Sequence, residues 1–337
     1  MHREKLRMKI ESIQQRQRFR GKISGIAAAL LPYTRNGQVD DEAFQRHLLA
    51  THNAGLMNAV NMDTGYVNYL SSPEKEQVLQ WTREALGRNT GFVAGAYIEN
   101  LDGDIVSLYR REMDRIVHLG GIPIVFQTAR LHGRSSQEKV AIYQQICRGY
   151  EHVLGFELSA VFAANGEIFD DECVKGLLDI PELKGMKHSS LDRLVELKRL
   201  ALRDERREDF SIYTGNDLGI NMIEYGSDYL LGLATFAPEK FAERDRLWES
   251  GDAAYYALSD SLQHLGNIAF RDPVPAYKHS AAVFLHLTGR ISCGAPHPRS
   301  PRRPNWEAEM LSDCARRLQL SINVDAAAPG RVFAETS

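Results

Sequence analysis

Eight short apolar runs recur between residues 23 and 234, and stretches with helical spacing of apolar and polar positions separate them. The runs are 23–31, 56–62, 92–97, 122–128, 155–160, 183–188, 210–214 and 229–234. Each has the length of a buried strand and is too short for a helix. Helix-start signals sit between them. Asp40-Asp41-Glu42 opens one, and Ser71-Ser72-Pro73-Glu74 opens another with proline just inside the start. Ser135-Ser136-Gln137-Glu138 and Ser189-Ser190-Leu191-Asp192 repeat the pairing of capping residue and early acid.

Strands alternating with helices predict a parallel sheet. Closure into a (β/α)8 TIM barrel accommodates the count of eight and a span of about 215 residues, close to the usual ~250. An open, doubly wound sheet is the alternative. No GxGxxG follows the first run and no Walker pattern is present, so nucleotide-binding versions lose support. Beyond residue 234 the rhythm changes. Segments 238–250, 252–270 and 274–287 read as helices without strands, 289–304 as a Gly/Pro/Arg-rich loop, and 306–320 as a last helix. The expected division is an N-terminal arm (1–21), a barrel (22–237), an all-α C-terminal extension (238–320) and a loose tail (321–337).

Composition narrows the class. The 337 residues are 43% hydrophobic and 25% charged with net charge −3, which leaves no nucleic-acid-binding footprint. Cys147, Cys173, Cys293 and Cys314 lack CxxC spacing and read as small buried hydrophobes, consistent with a reducing cytoplasm. The first twenty residues lack the apolar core of a secretory signal, and no run is long enough to span a membrane. The expectation is a soluble cytoplasmic protein without membrane partners.

One residue stands out chemically. Lys187 lies near the end of the sixth run, and strand C-termini converge on the mouth where barrel enzymes work. Desolvation there disfavours the ammonium and leaves a neutral amine able to attack a carbonyl. The ordinary alternative is a lysine snorkelling from a strand end to the surface.

Five motifs follow one another along the chain: Gly37-Gln38-Val39-Asp40 after the first run, Asp63-Thr64-Gly65-Tyr66 with Leu70-Ser71-Ser72-Pro73-Glu74 after the second, Lys184-Gly185-Met186-Lys187, Thr214-Gly215-Asn216-Asp217, and Gly226-Ser227-Asp228-Tyr229 through Ala237-Pro238. Taken in order, they resemble the dihydrodipicolinate synthase and N-acetylneuraminate lyase superfamily of Schiff-base class I aldolases. The resemblance covers roughly 21–287. It implies a TIM barrel in which Lys187 forms an imine with a 2-oxo acid without metal or cofactor, and a homotetramer or homodimer.

The departures are informative. Where the family's fifth strand carries a relay tyrosine, a gapless pairing puts Ser159, and Ala164 falls where an arginine is expected. Ala129-Arg130-Leu131-His132 replaces the segment bearing the partner tyrosine. True dihydrodipicolinate synthase activity is therefore not expected. By resemblance, Thr64 with the amides of Gly65 and Tyr66 would anchor a substrate carboxylate. Asp63 replaces a neutral threonine and would meet a hydroxyl or protonated Lys187. Tyr66 or Tyr69 could take over the relay. Glu157 shares the parity of Ser159 and is a candidate general base facing the barrel, whereas His188 should face the helices. Tyr213, Thr214 and Asn216 could reach a polyol tail.

Two readings follow: a cofactor-free lyase or aldolase acting on a 2-oxo acid or oxo sugar acid through Lys187, or a barrel that binds a small acid without catalysis. A metal-dependent hydrolase fits poorly, because the first run has no HxH and His118, His132 and His188 are not spaced as ligands.

Overall fold

A computed structural model describes residues 13–323 of the chain. Eight parallel strands close into a barrel in sequence order. They are β1 (Gly25–Ala28), β2 (Met57–Val60), β3 (Phe92–Ala96), β4 (Gly121–Val125), β5 (Val153–Leu158), β6 (Leu183–Ser189), β7 (Ser211–Thr214) and β8 (Asp228–Leu231). Each lies within or beside an expected apolar run. Because β8 pairs with β1 as well as β7, no edge is left open.

The outer ring is α1 (Asp41–Ala54), α2 (Ser72–Leu86), α3 (Ile105–His118), α4 (Ser136–Cys147), α5 (Asp171–Leu178) and α6 (Arg193–Arg206). Local chemistry explains their starts. The Asp40 carboxylate accepts the Ala43 N–H, and Ser71 and Ser135 each form a reciprocal capping box with a glutamate three residues on. The Asp192 side chain caps α6.

Past β8 come α7 (Pro238–Ser250), α8 (Ala254–Ala269), α9 (Tyr277–Leu287) and α10 (Glu307–Arg317). Helix α7 packs on β1 and α1, and the Tyr229 hydroxyl of β8 donates to Asp245 of α7 at 2.7 Å. It thus completes the ring around the barrel instead of joining the appendage expected to begin at residue 238, because a strand in a closed barrel needs a helix over its outer face. The other three helices form the C-terminal addition. Residues 1–12 of the expected arm and 324–337 of the expected tail lie outside the described residues. Among the described residues no helix is long and apolar enough to cross a membrane.

Strand register sorts side chains between two faces. Phe156, Lys187 and Tyr213 are neighbours across β5, β6 and β7, and so are Glu157, His188 and Thr214. Successive residues point to opposite sides. The first set faces into the barrel and the second faces the helices.

Candidate active site

Lys187 is the inward residue near the C-terminal end of β6, and only 8% of its surface is exposed. Its ammonium lies 4.6 Å from the centroid of the Phe156 ring. Phe156 meets Phe126 edge-on, and Phe126 meets Tyr97 the same way, so an aromatic wall lines this part of the barrel. Among the described residues no carboxylate forms an ion pair with Lys187. Burial therefore dominates and pushes its pKa below the ordinary 10.5, opposed by the more distant charges of Asp217 and Asp63.

Backbone geometry makes room for this side chain. A Cβ on Gly215, just past β7, would lie 2.0 Å from Ser189 Oγ and 2.6 Å from Lys187 Cε. A larger residue at 215 would push both side chains from these positions. Two residues on, Asp217 is buried and accepts the Leu233 N–H at 2.7 Å. Burial raises its pKa to about 7, with Lys187 opposing the shift. An acid and an amine, both moved towards neutrality, thus share the upper barrel.

Asp63 and Thr64 follow β2. The Asp63 carboxylate accepts the Tyr277 hydroxyl at 3.0 Å and the Lys278 ammonium at 3.0 Å, both from the start of α9. Thr64 Oγ1 lies 2.8 Å from the same Tyr277 hydroxyl. Asp63 is thus neutralised from within the chain, and neither of its partners was anticipated from sequence.

Other expected residues are placed differently. Glu157 does not face the barrel interior: its carboxylate pairs with His188 Nδ1 at 2.6 Å and with Arg199 of α6 at 2.8 Å, in the helical layer. Burial alone would raise the Glu157 pKa, but His188 and Arg199 together hold it at about 2, too low for a base at neutral pH. Thr214 also points outward and donates to the buried Glu196 at 2.9 Å. The outward placement of His188 agrees with expectation.

The Gly65 and Tyr66 amides donate to the carbonyls of Met62 and Asp63 in consecutive 3-10 turns, so they are not open to a carboxylate. Tyr66 is fully buried in left-handed backbone, and its hydroxyl donates to the Lys278 carbonyl at 3.5 Å. Its ring, with those of Tyr33 and Tyr69, packs against His297 from the C-terminal loop. Ser159 lies in the turn after β5, where its hydroxyl accepts the Val161 N–H at 3.3 Å. The Asn216 side chain accepts the Leu218 N–H in a local turn. Tyr213 faces inward but towards the barrel floor, where a Cβ on Gly185 would meet its ring at 2.9 Å.

The structure thus gathers Lys187, Asp63 and Thr64 with three residues not singled out from sequence: Asp217, Tyr277 and Lys278. Asp217 carried a signal, as an acid in the loop after the seventh run. Lys278 carried a weaker one, as a charge at the head of an apolar helix.

Comparison with known proteins adds to this geometry. The chain is 26% identical over 282 residues to the 4-hydroxy-tetrahydrodipicolinate synthase of Parasynechococcus marenigrum, covering 81% of this chain and 87% of that one. Dihydrodipicolinate synthase from Thermotoga maritima superposes with a TM-score of 0.76 at 17% identity, over 89% of this chain and all of that one. YagE, a prophage protein of the same family from E. coli K12 solved with pyruvate, gives 0.77 at 15% identity, over 89% of this chain and 99% of that one. No protein-family profile matches. The chain is similar in sequence to that synthase and shares the (β/α)8 barrel fold of these solved structures.

Proposed function

We propose that the protein is a Schiff-base-forming lyase or aldolase that condenses Lys187 with the carbonyl of a 2-oxo acid or oxo sugar acid. The observation supporting this reading is an amine that is desolvated, free of any ion pair among the described residues, and held against an aromatic wall inside the barrel. Burial without a counter-charge favours the neutral form, which is the nucleophile. The amine adds to the carbonyl carbon to give a carbinolamine. Loss of water then gives an iminium, which accepts the electron pair released when a bond to the adjacent carbon breaks. Asp217, with a pKa near 7, is suited to exchange the protons of carbinolamine formation and dehydration. YagE was solved with pyruvate, which makes pyruvate the first compound to try. Dihydrodipicolinate synthesis itself is not expected, since Ser159 and Ala164 stand where the relay tyrosine and arginine belong.

Borohydride reduction in the presence of pyruvate and a panel of larger 2-oxo acids, followed by peptide mapping, tests the proposal. A reduced adduct on Lys187 is expected, and it should vanish in Lys187→Ala. Absence of an adduct with every compound, or an adduct on another residue, would contradict it. Ligands that raise the melting temperature of both proteins equally without forming an adduct would instead support a non-catalytic binder.

A further inference from the structure

The start of α9 is an unusual place for polar chemistry. Every residue of this helix except His286 is buried, as in a helix packed on all sides, yet its first two residues are Tyr277 and Lys278. A buried ammonium requires a partner, and Lys278 finds it in Asp63 across the barrel mouth. Tyr277 is held beside it by stacking on Phe270, with ring centroids 4.2 Å apart and planes 17° apart. Gly232, just past β8, admits the ring: a Cβ there would lie 3.1 Å from Tyr277 Cε2 and 3.2 Å from Thr64 Oγ1.

A hydrogen-bonded chain results. An ionised Asp63 can only accept, so the Tyr277 hydroxyl donates to it at 3.0 Å, and the Thr64 hydroxyl then donates to Tyr277 at 2.8 Å. Burial and the nearby Asp63 push the Tyr277 pKa well above the usual phenol range, so the group is a neutral phenol at working pH. Backbone contacts tie this chain to Lys187: Gly215, whose Cβ would lie 2.6 Å from Lys187 Cε, is two residues before Asp217, and Asp217 accepts the N–H of Leu233, next to the Gly232 that borders Tyr277 and Thr64.

We propose that Tyr277 is the proton-relay residue of this site, coupled to Asp63 and supplied by the chain's own C-terminal helix, in place of the tyrosines absent from positions 159 and 129–132. The proposal rests on the reading of Lys187 as the imine-forming residue. With pyruvate bound as the iminium, a C3–H bond breaks and its electron pair forms the C2–C3 double bond, while the iminium π pair moves onto nitrogen. The proton passes to the Tyr277 oxygen as the phenolic proton passes to Asp63. Reversal returns a solvent-derived proton to C3. Lys278 is a positioning residue that holds Asp63 in line. All four side chains come from a single copy of the chain.

The test separates imine formation from proton transfer. Wild-type protein and Tyr277→Phe are incubated with pyruvate in D2O. Borohydride trapping after long incubation reads the equilibrium extent of the Lys187 adduct, and proton NMR reads the exchange of the pyruvate methyl hydrogens. The variant should trap to within about twofold of wild type but exchange at least about a hundredfold more slowly, the usual weight of a positioned acid–base group. A trapping variant with unchanged exchange overturns the assignment. Where Tyr277→Phe does not fold, 3-fluorotyrosine at position 277 keeps the shape and alters only the acidity of the phenol. The exchange rate must then change, and an unchanged rate again overturns the proposal. Failure of wild type to trap with pyruvate or any acid of the panel is a different result, which removes the Lys187 reading and this one with it.

Discussion

Lys187 and His188 are chain neighbours on one strand, and their surroundings differ in almost every respect. Lys187 points into the barrel, against the Phe156 ring, with no ion-pair partner among the described residues. His188 points outward into a closed polar network: Glu157 on one ring nitrogen, Ser190 on the other, and Arg199 beyond. Both side chains are buried. The outer face meets the cost of burying charge with matched partners, as a structural network must. At Lys187 the inner face leaves that cost largely uncompensated among the described residues, the kind of surroundings in which perturbed groups arise. The two neighbours thus differ in whether a buried ionisable group is given a matched partner.

The contrast can be tested from both sides. The largest effect is expected outside the barrel. Glu157→Gln leaves the buried Arg199 without its main counter-charge and should lower stability by about 3–5 kcal/mol, measured by urea unfolding at pH 7. The pH dependence follows from the direction of the shift. With Glu157 held at about 2 in the folded state and near 4.3 when unfolded, its contribution is fully present above ~4.3 and is lost as pH falls towards 2. The variant should lack that part of the acid loss.

A smaller effect of opposite sign is expected inside. Asp217 titrates at about 7 when folded and near 3.9 when unfolded, so the folded state holds its proton more tightly. Its contribution is present below ~3.9 and declines as pH rises to about 7. Asp217→Asn should therefore match wild type near pH 4 and exceed it at pH 8, by as much as ~4 kcal/mol. Unfolding curves at the two pH values check this, and equal stability at both would dissolve the contrast between the two faces.

The strands were legible in the sequence because each buried run is short, apolar and punctuated, and a closed parallel sheet follows from eight of them. The inward position of Lys187 was legible because it lies near the end of such a run. The facing of Glu157 was not. Its orientation had been tied to Ser159, but β5 ends at Leu158 and the chain turns there, so the alternation does not carry through. Register against His188 decides the matter, and register between strands is not encoded in either strand alone. Thr214 was misplaced for the same reason. Tyr277 and Lys278 were illegible because their partners lie more than two hundred residues away, brought together only when α9 folds against the barrel mouth.

The proposed chemistry depends on the protonation behaviour of one amine. Heteronuclear NMR titration of Lys187, assigned by comparison with Lys187→Met, reads it directly. A midpoint clearly below the ordinary 10.5 is expected, with the neutral amine populated at a pH where the surface lysines remain charged. A midpoint at or above 10.5 would mean that a counter-charge or water stabilises the ammonium, and would contradict a desolvated, nucleophilic Lys187.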